Sequence, residues 1–251
     1  MTYNPGDYWE KRLSQKFSLS RVGNISFSER YNAWCYKAKA RRLKEALISN
    51  SIEVKGRTVC DIGCGTGFYT NFYLQRGAKN IVGVDITGVS IENLKKKHPN
   101  HSFVQGNIAL PSILEQINLR FDIINIIDVL YHVTEDSAFN QALLNIFALT
   151  KLNGYIIFTD TWNQRNVRCA EHVRTRSKEA YEAIFKEKGI EILAVYPVFN
   201  LLNWPLFGRI PIPHFNLIDN FFAPVYYYMD KVWLPSKRSN LTMIVARKTA
   251  H

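Results

Sequence analysis

The chain is short of acid. Its 21 aspartates and glutamates stand against 32 lysines and arginines, a formal net charge of +11. Such a surplus concentrates anionic partners without naming one. The basic residues are spread among Arg41-Arg42, Lys95-Lys96-Lys97, Arg165 to Lys178 and Lys237-Arg238, with no RNA-binding signature or zinc knuckle beside them. They read as solvated faces, and nucleic acid is not the expected substrate. Cysteine is sparse too. Cys35, Cys60, Cys64 and Cys169 form no C-x-x-C pair, and a Cys60–Cys64 disulfide would distort the turn between them. Reduced thiols and a cytoplasmic setting are expected. No apolar run approaches a membrane span, and the polar start Thr2-Tyr3-Asn4-Pro5-Gly6-Asp7 gives no expectation of a secretory signal. Internal repeats and low-complexity tracts are absent. What is present, 251 residues with 47% apolar and 21% charged, suits one globular α/β domain with insertions.

Two nucleotide signatures are missing as well. G-x-G-x-x-G fails from Gly63, where the last position is Phe68, and from Gly65, where it is Thr70; no Gly-Lys-Ser/Thr of a P-loop follows. In their place stands Val59-Cys60-Asp61-Ile62-Gly63-Cys64-Gly65-Thr66-Gly67-Phe68-Tyr69-Thr70. A β-favouring run reaches an acid, then glycines at alternate positions, then a helical pattern. Glycines permit φ > 0 and close approach of a ligand, and the helix start offers unpaired N–H groups.

From Arg57 onward strands and helices alternate. Strands are expected at Thr58 to Ile62, Asn80 to Asp85, Ser102 to Gln105, Phe121 to Ile127, Tyr155 to Thr159 and Ile190 to Tyr196. Helices fall near 67–76, 89–97, 111–117, 135–149 and 177–188. The almost continuously apolar Phe121–Ile127 suits a central parallel strand buried on both faces. Leu241 to Ala246 would add a seventh strand. The whole is a doubly wound α/β sheet. Upstream, Tyr8 to Leu13 reads as one short helical turn, and Ser26-Phe27-Ser28-Glu29 as a capping box before a long helix. That helix either packs on the sheet edge or closes as a lid, with Tyr8, Tyr31 and Tyr36 as its contacts. The boundaries expected are a lid over 1–50, a core over 51–196, an aromatic, proline-bearing insertion over 197–238, and the last strand over 239–251. The insertion is read as a substrate cap, the alternatives being a core extension, a dimer surface or a membrane-facing segment.

D-x-G-x-G-x-G with an acid closing the next strand, Asp85, resembles the cofactor site of class I S-adenosylmethionine-dependent methyltransferases, over residues 30 to 196 as a pattern. The resemblance implies a Rossmann-like, seven-stranded, mostly parallel sheet whose last strand is antiparallel. It implies S-adenosyl-L-methionine as cofactor and S-adenosyl-L-homocysteine as product. Ligands of open parallel sheets sit beyond the strands' C-terminal ends. Asp61, Gly63, Gly65 and Gly67 would then hold the methionine part, and Asp85 the ribose hydroxyls. Ile86 would face adenine, and Gly106-Asn107-Ile108 would bring an amide to its edge, with Asn107 accepting from the adenine amine. Asp128 and Val129 would run past the methionine moiety.

Asp160, Trp162, Arg165, Arg168 and His172 would face a small-molecule acceptor, the arginines gripping an anionic group or else lying, like Arg174 and Arg176, on a solvated helix approach. His132 is the expected general base, its ordinary pKa lying near neutrality; Asp160, His172 and His214 are weaker alternatives. No metal is expected. Tyr8-Trp9-Glu10 with Tyr31-Asn32-Ala33-Trp34 is similar to small-molecule methyltransferases of bacterial glycan or natural-product pathways. The expected reaction is methyl transfer to a hydroxyl of an anionic or sugar-like acceptor. A lipid or quinone-like acceptor at a membrane surface, and cofactor binding without catalysis, stay open.

Overall fold

A computed structural model describes residues 3–162, 167–203, 215–233 and 241–250. Helices α1 (Pro5–Gln15), α2 (Leu19–Val22) and α3 (Glu29–Ser49) come first. The short turn expected at Tyr8 is part of a three-turn helix, because Asn4 caps it by accepting from the N–H groups of Gly6 and Asp7, and Pro5 opens it. α3 is capped by Ser28, whose hydroxyl oxygen accepts from Tyr31 N at 3.1 Å. Ser26 is therefore not the cap. Glu29 instead accepts from Leu19 N and the Ser20 hydroxyl, tying α2 to α3.

The alternating body follows: β1 (Thr58–Ile62), α4 (Phe68–Leu74), β2 (Asn80–Asp85), α5 (Gly88–Lys97), β3 (Ser102–Gln105), α6 (Ile113–Ile117), β4 (Phe121–Ile126), α7 (Asp136–Leu149) and β5 (Thr150–Asp160). Then come a hairpin, β6 (Val167–Ala170) and β7 (Val173–Thr175), and α8 (Lys178–Glu187), β8 (Ile190–Phe199), α9 (Phe215–Trp233) and β9 (Leu241–Lys248). Seven strands make one sheet in the order β3-β2-β1-β4-β5-β9-β8, with β9 antiparallel to both neighbours and the other pairs parallel. The sheet has the seven strands and the antiparallel last strand that the resemblance implies.

Strand alternation sorts the core into two layers. Val59, Ile81, Ile123 and Ile157 pack with α3, α4 and α9, while Cys60, Val82, Ile124 and Ile156 pack with α6, α7 and α8. Chain order reverses between β1 and β4. A crevice opens there at the strands' C-terminal ends.

Two segments departed from their expected form. Arg174 and Arg176 are not on a solvated helix approach. They follow or lie on the hairpin, and Arg176 is 1% exposed. Its guanidinium lies 3.8 Å from the Phe139 ring centroid and its Nη2 donates to Asp136, which supplies the burial and the counter-charge that a solvated reading lacks. Residues 215–233 form a helix despite Pro224 and the aromatic run. Asp230 on it accepts from the N–H groups of Asn200, Leu201 and Leu202.

Candidate functional site

The glycine turn closes on β2. Gly63 N and Cys64 N both donate to Val84 O, at 2.7 and 3.0 Å. Gly63 has φ +71°, and a Cβ there would stand 2.3 Å from Val129 Cγ2, so no side chain fits. Gly65 N donates to Asp85 Oδ2 at 2.8 Å; Asp85 Oδ1 accepts from Thr87 N at 2.9 Å and Thr87 Oγ1 at 2.7 Å. Burial raises the pKa of this carboxyl, and those donors pull against the rise.

Gly63, Gly65, Asp85, Ile86, Asn107, Ile108, Asp128 and Val129 line one cavity of about 480 Å³. That volume suits a nucleoside-sized ligand. Tyr3, Pro5, Trp9 and Leu13 close its other side. The loop carrying Asn107 and Ile108 is held by Asn145 on α7, whose Nδ2 donates to the carbonyls of Ile108 and Leu110 at 2.7 and 3.0 Å. Asn107 Oδ1 accepts from Ala109 N at 2.9 Å. That bond orients the side chain and uses one of the oxygen's two lone pairs.

Other residues expected at the cofactor stand elsewhere. Asp61 is fully buried: Oδ2 accepts from the Thr70 hydroxyl and Oδ1 from Asn125 Nδ2, at 2.7 and 2.8 Å. Burial lifts its pKa to about 6, and it organises the turn from behind. Gly67 is an α4 cap at φ +78° whose added Cβ would meet Leu94 Cδ2 at 2.5 Å; its task is close packing on α5. Tyr31 and Tyr36 lie in the core, because α3 presents that face to the sheet. The Tyr31 hydroxyl donates to Leu202 O at 2.8 Å, and Tyr36 packs edge-on against Phe68. Asp128, at φ +63°, does line the cavity, but its carboxylate is ion-paired with Lys39 of α3.

A second cavity, also about 480 Å³, shares Trp9, Val22, Asp128 and His132 with the first. Tyr8, Arg12, Lys39, Tyr131 and His172 line it. His172 stands in the turn of the β6–β7 hairpin, stacked at 4.8 Å on Tyr8 and 5.7 Å from His132. His132 Nδ1 lies 2.7 Å from His172 O. A carbonyl only accepts, so Nδ1 carries the hydrogen and Nε2 keeps its lone pair. Burial pushes the His132 pKa down to about 4, correcting the near-neutral value expected.

Of the expected acceptor residues, Asp160 is fully buried and accepts from the Tyr181 hydroxyl and from Thr161 N; it belongs to the core. Trp162 packs beside Tyr181 at 6.2 Å, drawn into the same cluster. Neither lines either cavity. Arg165 and His214, like the Arg168 side chain, lie outside the described residues.

A family model described as "Methyltransferase domain" matches residues 53–200. The chain belongs to this family. Among solved structures, the magnesium protoporphyrin IX methyltransferase (ChlM) of Synechocystis PCC 6803, crystallised with SAH, resembles it with a TM-score of 0.60 at 14% identity, over 96% of this chain and 97% of that one. The N-methyltransferase NodS of Bradyrhizobium japonicum has a TM-score of 0.55 at 14% identity, over 84% and 87%. A curated relative, the ubiquinone biosynthesis O-methyltransferase of Pseudomonas fluorescens, is 25% identical over 114 residues, 45% of this chain and 47% of that protein. Protein arginine N-methyltransferase 1 of Saccharomyces cerevisiae is 34% identical over 84 residues, 34% and 24%. The chain thus spans less than half the length of these curated relatives.

Sequence reasoning missed Asn145, inside the matched segment, and three residues that precede it, Glu10, Arg12 and Lys39. Glu10 accepts from Gly88 N and Val89 N at 2.7 and 3.2 Å, latching α1 onto the start of α5. Arg12 and Lys39 supply the charge of the second cavity. No motif marks them; a helical wheel of α1 that set Tyr8 and Arg12 on one face, at i and i+4, was the one signal available.

Proposed function

We propose that this chain transfers a methyl group from S-adenosyl-L-methionine to a hydroxyl of a small, anionic or sugar-like acceptor. One observation carries the reading: two cavities of equal size meet at a wall made of Trp9, Asp128 and His132. The first suits the cofactor. Its Gly63–Gly65 turn leaves no Cβ in the way, Asp85 offers a carboxylate to a diol, and Ile86, Ile108 and Ala109 make an apolar wall for a planar base. When bound, the cofactor supplies an electrophilic methyl group on a sulfonium.

The chain's own residues then align and deprotonate the acceptor. The His172 carbonyl holds the His132 tautomer, so Nε2 accepts the hydroxyl's hydrogen. An imidazole with a pKa near 4 leaves a resting alcohol protonated. It does take the proton once the oxygen is carrying the new methyl group, because an oxonium is a far stronger acid. Trp9 and the α1 segment cover both cavities, which supports the reading of residues 1–50 as a lid. Calorimetric titration with S-adenosyl-L-methionine tests the first half, and mass spectrometry of labelled methyl transfer into a metabolite extract the second. No binding sinks the reading; binding without turnover on any acceptor leaves a cofactor-binding protein.

A lipid or quinone-like acceptor is the second reading, favoured by Phe221, Val225, Tyr228 and Val232. They are exposed along one face of α9. Sedimentation with anionic vesicles decides it: pelleting that Phe221→Ser with Val232→Ser abolishes supports a membrane-facing α9.

A further inference from the structure

The second cavity holds one buried cation that the protein leaves uncompensated. Arg12 is 8% exposed, and its Nη2 donates to Gly23 O at 2.9 Å and its Nη1 to the Tyr8 hydroxyl oxygen at 3.2 Å. Its Nε–H is buried and has no partner. Among the described residues no carboxylate lies within ion-pairing distance of it. A buried charge without a counter-ion costs several kcal/mol, so the arrangement calls for an anion from outside the protein.

Two neighbouring polar side chains of the cavity are already partnered. Lys39 is paired with Asp128. The Asn32 amide donates to the carbonyls of Asn24, Phe27 and Ser28, and its oxygen accepts from Asn24 N. Arg12 is also held in place. Its Cζ lies 4.6 Å from the Trp9 ring centroid and 5.5 Å from that of Tyr8, so the guanidinium is fixed without being neutralised. Trp9 in turn meets His132 edge-on at 4.9 Å. One indole therefore separates the free cation from the imidazole. The charge of Arg12 reaches both histidines, adding to the burial that lowers their pKa values.

We propose that the Arg12 guanidinium binds an oxyanion of the acceptor, a carboxylate or a phosphate, while the acceptor's hydroxyl meets His132. This rests on the methyltransferase reading of the two cavities. It assigns the anionic subsite to α1 instead of the arginines after β5. The implied acceptor carries its oxyanion and its nucleophilic oxygen about the width of an indole apart. Arginine suits the task because its planar fork meets two oxygens at once, which a lysine ammonium does not.

The test is a titration of the full chain with sodium phosphate and, separately, sodium acetate, at ionic strength held constant with sodium chloride. ¹H–¹⁵N spectra of the arginine Nε–H groups report binding, the Arg12 cross-peak being the one lost in Arg12→Lys. A saturable shift of that peak is the expected result. Phosphate alone shifting it assigns a phosphorylated acceptor, acetate alone a carboxylate, and both the shared oxyanion chemistry. Arg12→Lys, followed on the His172 ring resonances, should bind the same anion at least about tenfold more weakly, with affinity for S-adenosyl-L-methionine within about twofold of wild type. Wild-type spectra in which no arginine Nε–H peak moves with either anion overturn the proposal, and that outcome needs no variant. If the chain still binds S-adenosyl-L-methionine in that case, the subsite alone has failed. If it does not, the methyltransferase reading has failed with it.

Discussion

His132 donates its Nδ1 hydrogen to the main-chain carbonyl of His172 at 2.7 Å, joining two segments 40 residues apart. The bond sets which ring nitrogen faces the cavity. It also ties the β6–β7 hairpin to the loop after β4, so the acceptor side and the cofactor side of the crevice share one anchor.

His132→Gln should therefore lower kcat by about a hundredfold while cofactor affinity stays within about twofold. Equal losses in both would assign the residue to structure. The acid limb of the kcat/KM profile should lie near pH 4, the value to which burial depresses this imidazole, and not between 6 and 7. Steady-state rates from pH 3.5 to 8 check both statements.

Stability should carry the same signature. The folded pKa lies below the unfolded one, so on acidification the unfolded chain takes up the proton first. The stabilising effect of a neutral His132 is full above about pH 6.5 and drains away down to about pH 4. Between pH 7 and pH 4 the wild type should lose about 2–3 kcal/mol more than His132→Gln. Urea unfolding at the two pH values measures the difference, and the comparison cancels the opposite contributions of Asp61 and Asp160.

Asp85→Ala removes the acceptor for Gly65 N, Thr87 N and Thr87 Oγ1 at once. Affinity for S-adenosyl-L-methionine should fall at least about thirtyfold with the loss of the charge-assisted hydrogen bonds from the ribose hydroxyls. Calorimetry that finds it unchanged would remove Asp85 from the cofactor site.

The Lys39–Asp128 pair is almost wholly shielded, with side chains 7% and 15% exposed. Lys39→Met leaves the aspartate buried without its counter-charge and should cost about 3 kcal/mol. Adding Asp128→Asn should return more than about 1 kcal/mol of that loss. Chemical denaturation of the two single variants and the double variant closes the cycle.

Much of the sheet was legible because its signals are local. The apolar Phe121–Ile126, the glycine turn and Asp85 each announce themselves within a dozen residues. The helices between them begin and end within a few residues of their expected limits. The hairpin and α9 were not legible. Arg174 and Arg176 read as solvated until Asp136 and Phe139 came to them from the first turn of α7. Pro224 hid a helix that leans on α3 through Ala223, Tyr226 and Tyr227.

By itself, then, the order of residues determined the alternating architecture, the turn that admits no Cβ and the acid that ends β2, since periodicity and glycine conformational freedom act between near neighbours. Which groups are free to react was decided only by tertiary structure. Lys39 took Asp128, the His172 carbonyl chose the His132 tautomer, and Arg12 entered the second cavity with none of the described carboxylates paired to it. Burial and pairing depend on what arrives from distant parts of the chain, and no local pattern encodes them.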